Sequence, residues 1–453
     1  MAVLTEELGD TGFLSSLLSD DVFIPSEPRN MSETGINSVL IESLILKFLL
    51  QVGSASGRKI GRELCLPHNV IEEVLDSLRS RQVVVHSGQA QLNDYYYALT
   101  DVGNKHAQAA MNASGYVGAV PVPLEEYVLS VDAQTIRAEA PTREQLERAF
   151  RDISITPGLL DQLGPAINSG AGLFLYGDPG NGKTTIARRI TKCFGQTIWI
   201  PRTLLCDGQY IKLFDEAYHR PVRREEGLAD SDRFDRRWVK IERPTVTVGG
   251  ELTMDGLELR HDVHTNVCEA SLQLKSNCGV FLIDDFGRQR IAPAELLNRW
   301  IVPLENGHDF LTLPTGKKIL VPFEQLIIFS TNLDPAELGD EAFLRRIPYK
   351  IEIGDPSEEE FHDLFKMFCR KHGCPYREDV VTWLIREHYE KQGRNLRRCQ
   401  PRDLLLLIRN LCVYKRAPLD LRQEHFSEVV KTYFTVVHKS RDARAKGNEV
   451  ESP

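Results

Sequence analysis

The chain has 453 residues, 42% apolar and 26% charged, with a formal net charge of −9. That length predicts two or three domains. No apolar run approaches the roughly 18 residues of a membrane span, and the acidic balance argues against a general polyanion binder. The N-terminus has neither a basic leader nor a signal-type apolar core, and nine scattered cysteines read as free thiols of a reducing compartment, so the expected location is the cytoplasm.

In chain order, residues 1–35 lack sustained periodicity and are expected to form a flexible arm. Residues 36–113 show three successive helical patterns, then two strand-like runs, Val83-Val84-Val85 and Tyr95-Tyr96-Tyr97-Ala98-Leu99, and end in a fourth helix capped by Thr100. Three helices and a two-stranded wing resemble a winged-helix domain. The prolines and glycines after Tyr116 read as part of a linker over 114–141.

A nucleotide-binding domain is expected over 142–354, with apolar strands at 172–176, 196–200, 279–283, 326–331 and 348–353 separated by helical stretches. That alternation predicts an α/β doubly wound parallel sheet. The stretch between about Ala217 and Ser276 reads as an insertion in which residues 246–252 and 257–260 form a hairpin. A second hairpin is expected around Pro314-Thr315-Gly316. Residues 355–437 read as helical and 438–453 as a disordered tail.

The strongest chemical signal is Gly177-Asp178-Pro179-Gly180-Asn181-Gly182-Lys183-Thr184, which matches the phosphate-binding loop G-x-x-x-x-G-K-[ST]. It follows the apolar run 173–176 and opens a helix, the context the motif needs. Glycines let backbone N–H groups turn inward around phosphate oxygens, and the positive end of the helix dipole points at the same anion. Lys183 is placed for the β- and γ-phosphates, Thr184 for Mg²⁺, and Thr185 counts among the nucleotide contacts.

Val280-Phe281-Leu282-Ile283 ends in Asp284-Asp285. Asp284 is placed to hold Mg²⁺ through water, and Asp285 to polarise an attacking water. The strand 326–331 ends at Asn332, beside the expected γ-phosphate position. Arg345 and Arg346 precede the last strand, where a guanidinium reaching a neighbouring subunit's nucleotide would stabilise charge on the transferred phosphoryl group. Arg402 stands near a helix N-terminus, where a cation is poorly placed for the dipole, and is a candidate γ-phosphate sensor.

As an ordered set these motifs resemble an AAA+ ATPase: Walker A 177–184, Walker B 280–285, sensor 1 at Asn332, an arginine finger at Arg345 or Arg346 and sensor 2 at Arg402. The resemblance covers roughly residues 142–437. It implies a C-terminal helical lid, ATP and Mg²⁺ bound between subunits of a homo-oligomer, commonly a hexamer, and hydrolysis coupled to remodelling of a partner. The hairpin before the sensor 1 strand resembles that of the branch including MoxR-type chaperones. The sequence departs from the family at Asp285, where Glu is commoner.

The front domain is electrically neutral, with seven Lys/Arg and seven Asp/Glu between Ile36 and Asn112. Neutralising DNA phosphates needs Lys and Arg, so protein docking is favoured over DNA binding. A chaperone-like remodeller of an unidentified protein client is the first expectation. A DNA motor or regulator and a slowly hydrolysing assembly switch are the alternatives. Cys369, Cys374 and Cys399 lack a standard finger spacing and read as packing residues rather than zinc ligands.

Overall fold

The computed structural model describes residues 23–91, 93–195, 197–222, 234–335 and 344–434. At its centre lies a five-stranded parallel sheet of β1 (Leu173–Tyr176), β2 (Thr245–Val248), β3 (Val280–Ile283), β4 (Leu326–Ser330) and β5 (Tyr349–Glu352), in the order β2-β3-β4-β1-β5. The three middle strands are continuous apolar runs, the pattern of strands covered on both faces. Leu173, Phe174, Val280, Phe281, Ile327 and Ile328 are fully buried. Stacked rings of Phe174 and Phe329, 4.8 Å apart, tie neighbouring strands on one face.

One expected sheet member lies elsewhere. Thr197–Pro201 pairs antiparallel with Trp238–Glu242 in a separate ribbon, and β2 takes the sheet edge. A short apolar run shows that it is a strand without showing which sheet it joins; β2 places Val246 and Val248 in the apolar layer around Phe281. The hairpin expected at 246–260 therefore does not form. Met254–Leu257 is a 3₁₀ turn, and Arg260–Asp262 pairs with Val267–Glu269. Far from being only an insertion, the 217–276 stretch supplies one strand of the central sheet. The hairpin expected later is present, with His308–Thr312 antiparallel to Lys318–Pro322.

The expected linker over 114–141 is packed rather than extended. Val122–Pro123 adds a short parallel strand to a second sheet that also contains Thr203–Cys206, Gln209–Lys212, Val267–Glu269 and Arg260–Asp262. Leu124–Ala133 is a helix whose Tyr127 is buried, its hydroxyl donating to the Leu274 carbonyl at 3.3 Å. The front unit comprises helices Ser38–Val52, Gly57–Leu64, His68–Ser80 and Asp101–Ala113 with a three-stranded sheet of Ser54–Ser56, Tyr95–Leu99 and Val84–Gln89. Its core continues into the second sheet through Tyr210 and Val267. Lys47 is buried at that seam, donating to the Ser114 carbonyl at 3.1 Å and lying 5.3 Å from the centre of the Tyr210 ring.

The N-terminal arm departs from expectation in the same way. Residues 1–22 and 435–453, the latter including the expected tail, lie outside the described residues. From Phe23 onward the chain is pinned: Phe23 packs on Trp238, and fully buried Arg237 donates to the Thr34 carbonyl at 2.7 Å. The segment is too short and proline-rich for periodicity to show this packing, and its partners are two hundred residues away.

Glu126 is half-buried beside this seam, and loss of water contact pushes its carboxyl up to about 7, against the pull of Arg237. A raised carboxyl pKa means that the folded chain holds the proton more tightly than the unfolded one. Its contribution to stability is therefore full below about 4.5 and is lost as pH rises to about 7. Glu126→Gln is expected to flatten stability across that window and to raise the urea midpoint above pH 7; an unchanged pH profile would contradict the assignment.

The C-terminal helices have a core of their own. Glu358–His372 starts in a capping box between Ser357 and Glu360, and packs with Gln400–Tyr414 and Gln423–Tyr433 through Phe361, Phe365, Leu404 and Phe426. Cys369, Cys374 and Cys412 are buried within it as free thiols.

Candidate functional site

Ligands of open parallel sheets bind beyond the carboxyl ends of the strands, and that is where the glycine loop lies. Gly177, Gly180 and Gly182 have φ of 125°, 86° and 90°, a region that favours glycine. A side chain at Gly177 would also collide with the Ile353 carbonyl oxygen, 2.7 Å from where its Cβ would stand. The chain thereby turns tightly from β1 into the helix Lys183–Ile190, whose N-cap is Gly182.

Four of the expected residues converge here. The Lys183 ammonium donates to the carbonyls of Gly177 and Asp178 at 2.9 and 3.0 Å and to Asn332 Oδ1 at 2.7 Å. Burial lowers its pKa, while Asp285, Asp284 and Asp178 oppose the shift. The Thr184 hydroxyl donates to Asp284 Oδ1 at 2.8 Å. Loop, β3 and β4 are thus joined through four side chains, a lysine, a threonine, an aspartate and an asparagine, whose groups are able to handle phosphate, a cation and water.

Asp285 follows in a tight turn. It is exposed and has φ of 51°, a left-handed conformation that Asp and Asn adopt more readily than other L-residues. That backbone gives a physical reason for a short acid at this position. The turn is anchored on its far side: Phe286 N–H donates to the Ser330 carbonyl at 2.7 Å, and the Thr331 hydroxyl to the Phe286 carbonyl at 2.8 Å.

The arginines divide differently from expectation. Arg402 turns its guanidinium onto adjacent Asp403, at 2.8 and 2.9 Å, and is half-exposed. The contacts between the C-terminal helices and the glycine loop run instead through Arg397, Arg398 and Cys399. Arg397 pairs with Asp178 at 2.6 Å and also with Asp355, the Arg398 N–H donates to Asn181 Oδ1 at 3.3 Å, and the Cys399 N–H to the Gly180 carbonyl at 2.9 Å. The rule that points to Arg402 applies equally to Arg397 and Arg398, cations just before a helix start at Gln400, and does not rank the three. Arg346 is bound to Glu305 at 2.6 Å within its own chain, whereas Arg345 is exposed.

An open polar cleft of about 260 Å³ borders the loop, lined by Tyr176, Asp178, Asn181, Asn332, Glu352 and Asp355 among others. The site as a whole is a glycine-rich loop mounted at the carboxyl ends of a parallel α/β sheet. A family profile described as "Domain of unknown function (DUF8689)" matches residues 357–432, the C-terminal helices. No curated protein matches the chain. Among solved structures it is similar to NtrX from Brucella abortus, with 14% identity and a TM-score of 0.39, covering 61% of this chain and 55% of that one. The chain thus spans about half the length of that protein. Among the described residues, no helix is long and apolar enough to cross a membrane.

Proposed function

We propose that this chain is an ATP hydrolase of the AAA+ type that works as a homo-oligomeric ring, with nucleotide at the seams, to remodel a protein partner. The observation that carries the reading is the convergence of Lys183, Thr184, Asp284 and Asn332 at the carboxyl ends of β1, β3 and β4. Loop N–H groups and Lys183 bind the β- and γ-phosphates; the ammonium that Asn332 holds at 2.7 Å moves onto the phosphate when nucleotide arrives. Asn332, released, orients water against the γ-phosphorus. Asp285 accepts the water proton as the O–P bond to ADP breaks, giving ADP and phosphate.

The Thr184 hydroxyl and the Asp284 carboxylate are hard oxygen donors 2.8 Å apart, a donor set that suits Mg²⁺. Those two residues would hold the ion, which neutralises charge on the phosphate oxygens. The helices after residue 355 act as the lid, with Arg397 and Arg398 as its contacts to the loop and Arg402 as a candidate sensor at the same helix start. The front unit is read as a winged helix. Its balanced charge favours docking of a protein over DNA.

The exposed Arg345 is assigned as the cation offered to the neighbouring seam, since Arg346 is engaged by Glu305. Arg345→Ala is expected to retain ATP binding and lose about 10³-fold in turnover. Asp285→Asn is expected to be slow as well. Mixing the two slow variants should restore part of the turnover, because some seams then combine an intact Asp285 with an intact Arg345. Mixtures that stay inactive at every ratio, beside an active parent, would refute action across a seam.

A further inference from the structure

The acidic turn after β3 is closed by one side chain that the nucleotide reading does not use. Gln289 Nε2 donates to the carbonyls of Asp284 at 3.0 Å and Asp285 at 3.2 Å, while its Oε1 accepts from the Gly287 N–H at 2.8 Å. All three contacts are to backbone within the same turn. Between them lies Asp285 in its left-handed conformation, followed by Gly287 at φ 100°. The far side of the turn is fixed independently by Phe286, through Ser330 and Thr331. The near side has Gln289.

We propose that Gln289 is a positioning residue for Asp285: by holding both acidic carbonyls and the Gly287 N–H, it fixes the direction in which the Asp285 carboxylate leaves the backbone. This rests on the reading of Asp285 as the group that accepts the water proton. The physical argument is one of geometry. A short acid has little reach of its own, so its aim depends on the backbone, and that backbone sits in a region sparsely used by residues other than glycine. A primary amide suits the task because it offers two donors and an acceptor on one planar group. Glutamate has the same shape, but when ionised it offers no donor to the two carbonyls and sets a negative charge against them.

The test uses the full chain with Mg²⁺ and ATP, measuring turnover and, separately, affinity for a fluorescent ATP analogue. Gln289→Ala and the nearly isosteric Gln289→Glu are both expected to lower kcat about ten- to a hundred-fold, the scale of lost supporting contacts, with nucleotide affinity within about two-fold of the parent. In an Asp285→Asn background, Gln289→Ala should have no further effect on kcat, as two residues acting through one function are non-additive. Parental turnover in both variants would overturn the proposal, as would an equal loss of affinity, or a full additional loss in the Asp285→Asn background. A parent chain that binds ATP without hydrolysing it would instead overturn the reading of Asp285 on which the proposal rests.

Discussion

Lys183→Ala is expected to weaken ATP binding by at least about a hundred-fold, about 2.8 kcal/mol, and to abolish hydrolysis. Lys183 is buried, and its ammonium is the cation that the glycine loop, β4 and the two acids of β3 share. Without it Asp284 and Asp285 face the incoming phosphates with no compensating charge from the loop. Folding should survive, because the three hydrogen bonds of the ammonium end on groups at the edge of an open cleft and the sheet core is untouched. Titration of a fluorescent ATP analogue into the variant measures this directly. Near-parental affinity would remove the nucleotide assignment altogether.

The second large effect concerns stability. Asp235→Ala is expected to cost roughly 3–5 kcal/mol, the range for leaving one member of a buried ion pair alone. Arg237 is fully buried, and its guanidinium meets both carboxylate oxygens of Asp235, at 2.8 to 3.1 Å, as well as the Thr34 and Pro121 carbonyls. One side chain thereby joins the arm, the segment entering the second sheet and the Trp238–Glu242 strand. Removing both charges in Asp235→Ala/Arg237→Met should recover much of the loss, since apolar replacement of a buried pair is often neutral. Urea unfolding followed by tryptophan fluorescence reads both variants, and a drop below about 1 kcal/mol in the single variant would contradict this account.

The two effects belong to parts of the chain that differ in how far the residues announce them. The glycine loop can be read directly because its chemistry is local: glycine spacing, lysine and threonine lie within eight consecutive residues, and their roles need only the strand before and the helix after. Asp284 and Asn332 are nearly as legible: Asp284 directly follows a wholly apolar strand, and Asn332 follows a strand whose apolar run closes in Ser330-Thr331. Arg397 and Arg402 are a different case. Both are cations near one helix start, and the sequence offers no means of ranking them; the packing of that helix turns Arg397 onto Asp178 and leaves Arg402 beside Asp403.

From residue order alone came the parallel α/β core, the loop and the acidic and polar strand ends, because short-range periodicity and motif spacing encode them. Only the tertiary structure decided that residues 245–248 and not 197–201 complete the central sheet, that the supposed linker and arm are pinned, and that the front unit is wedged against a second sheet. The reason is physical. Strand partners and buried ion pairs are chosen by contacts between residues tens to hundreds of positions apart, and local apolar pattern is the same whichever partner wins.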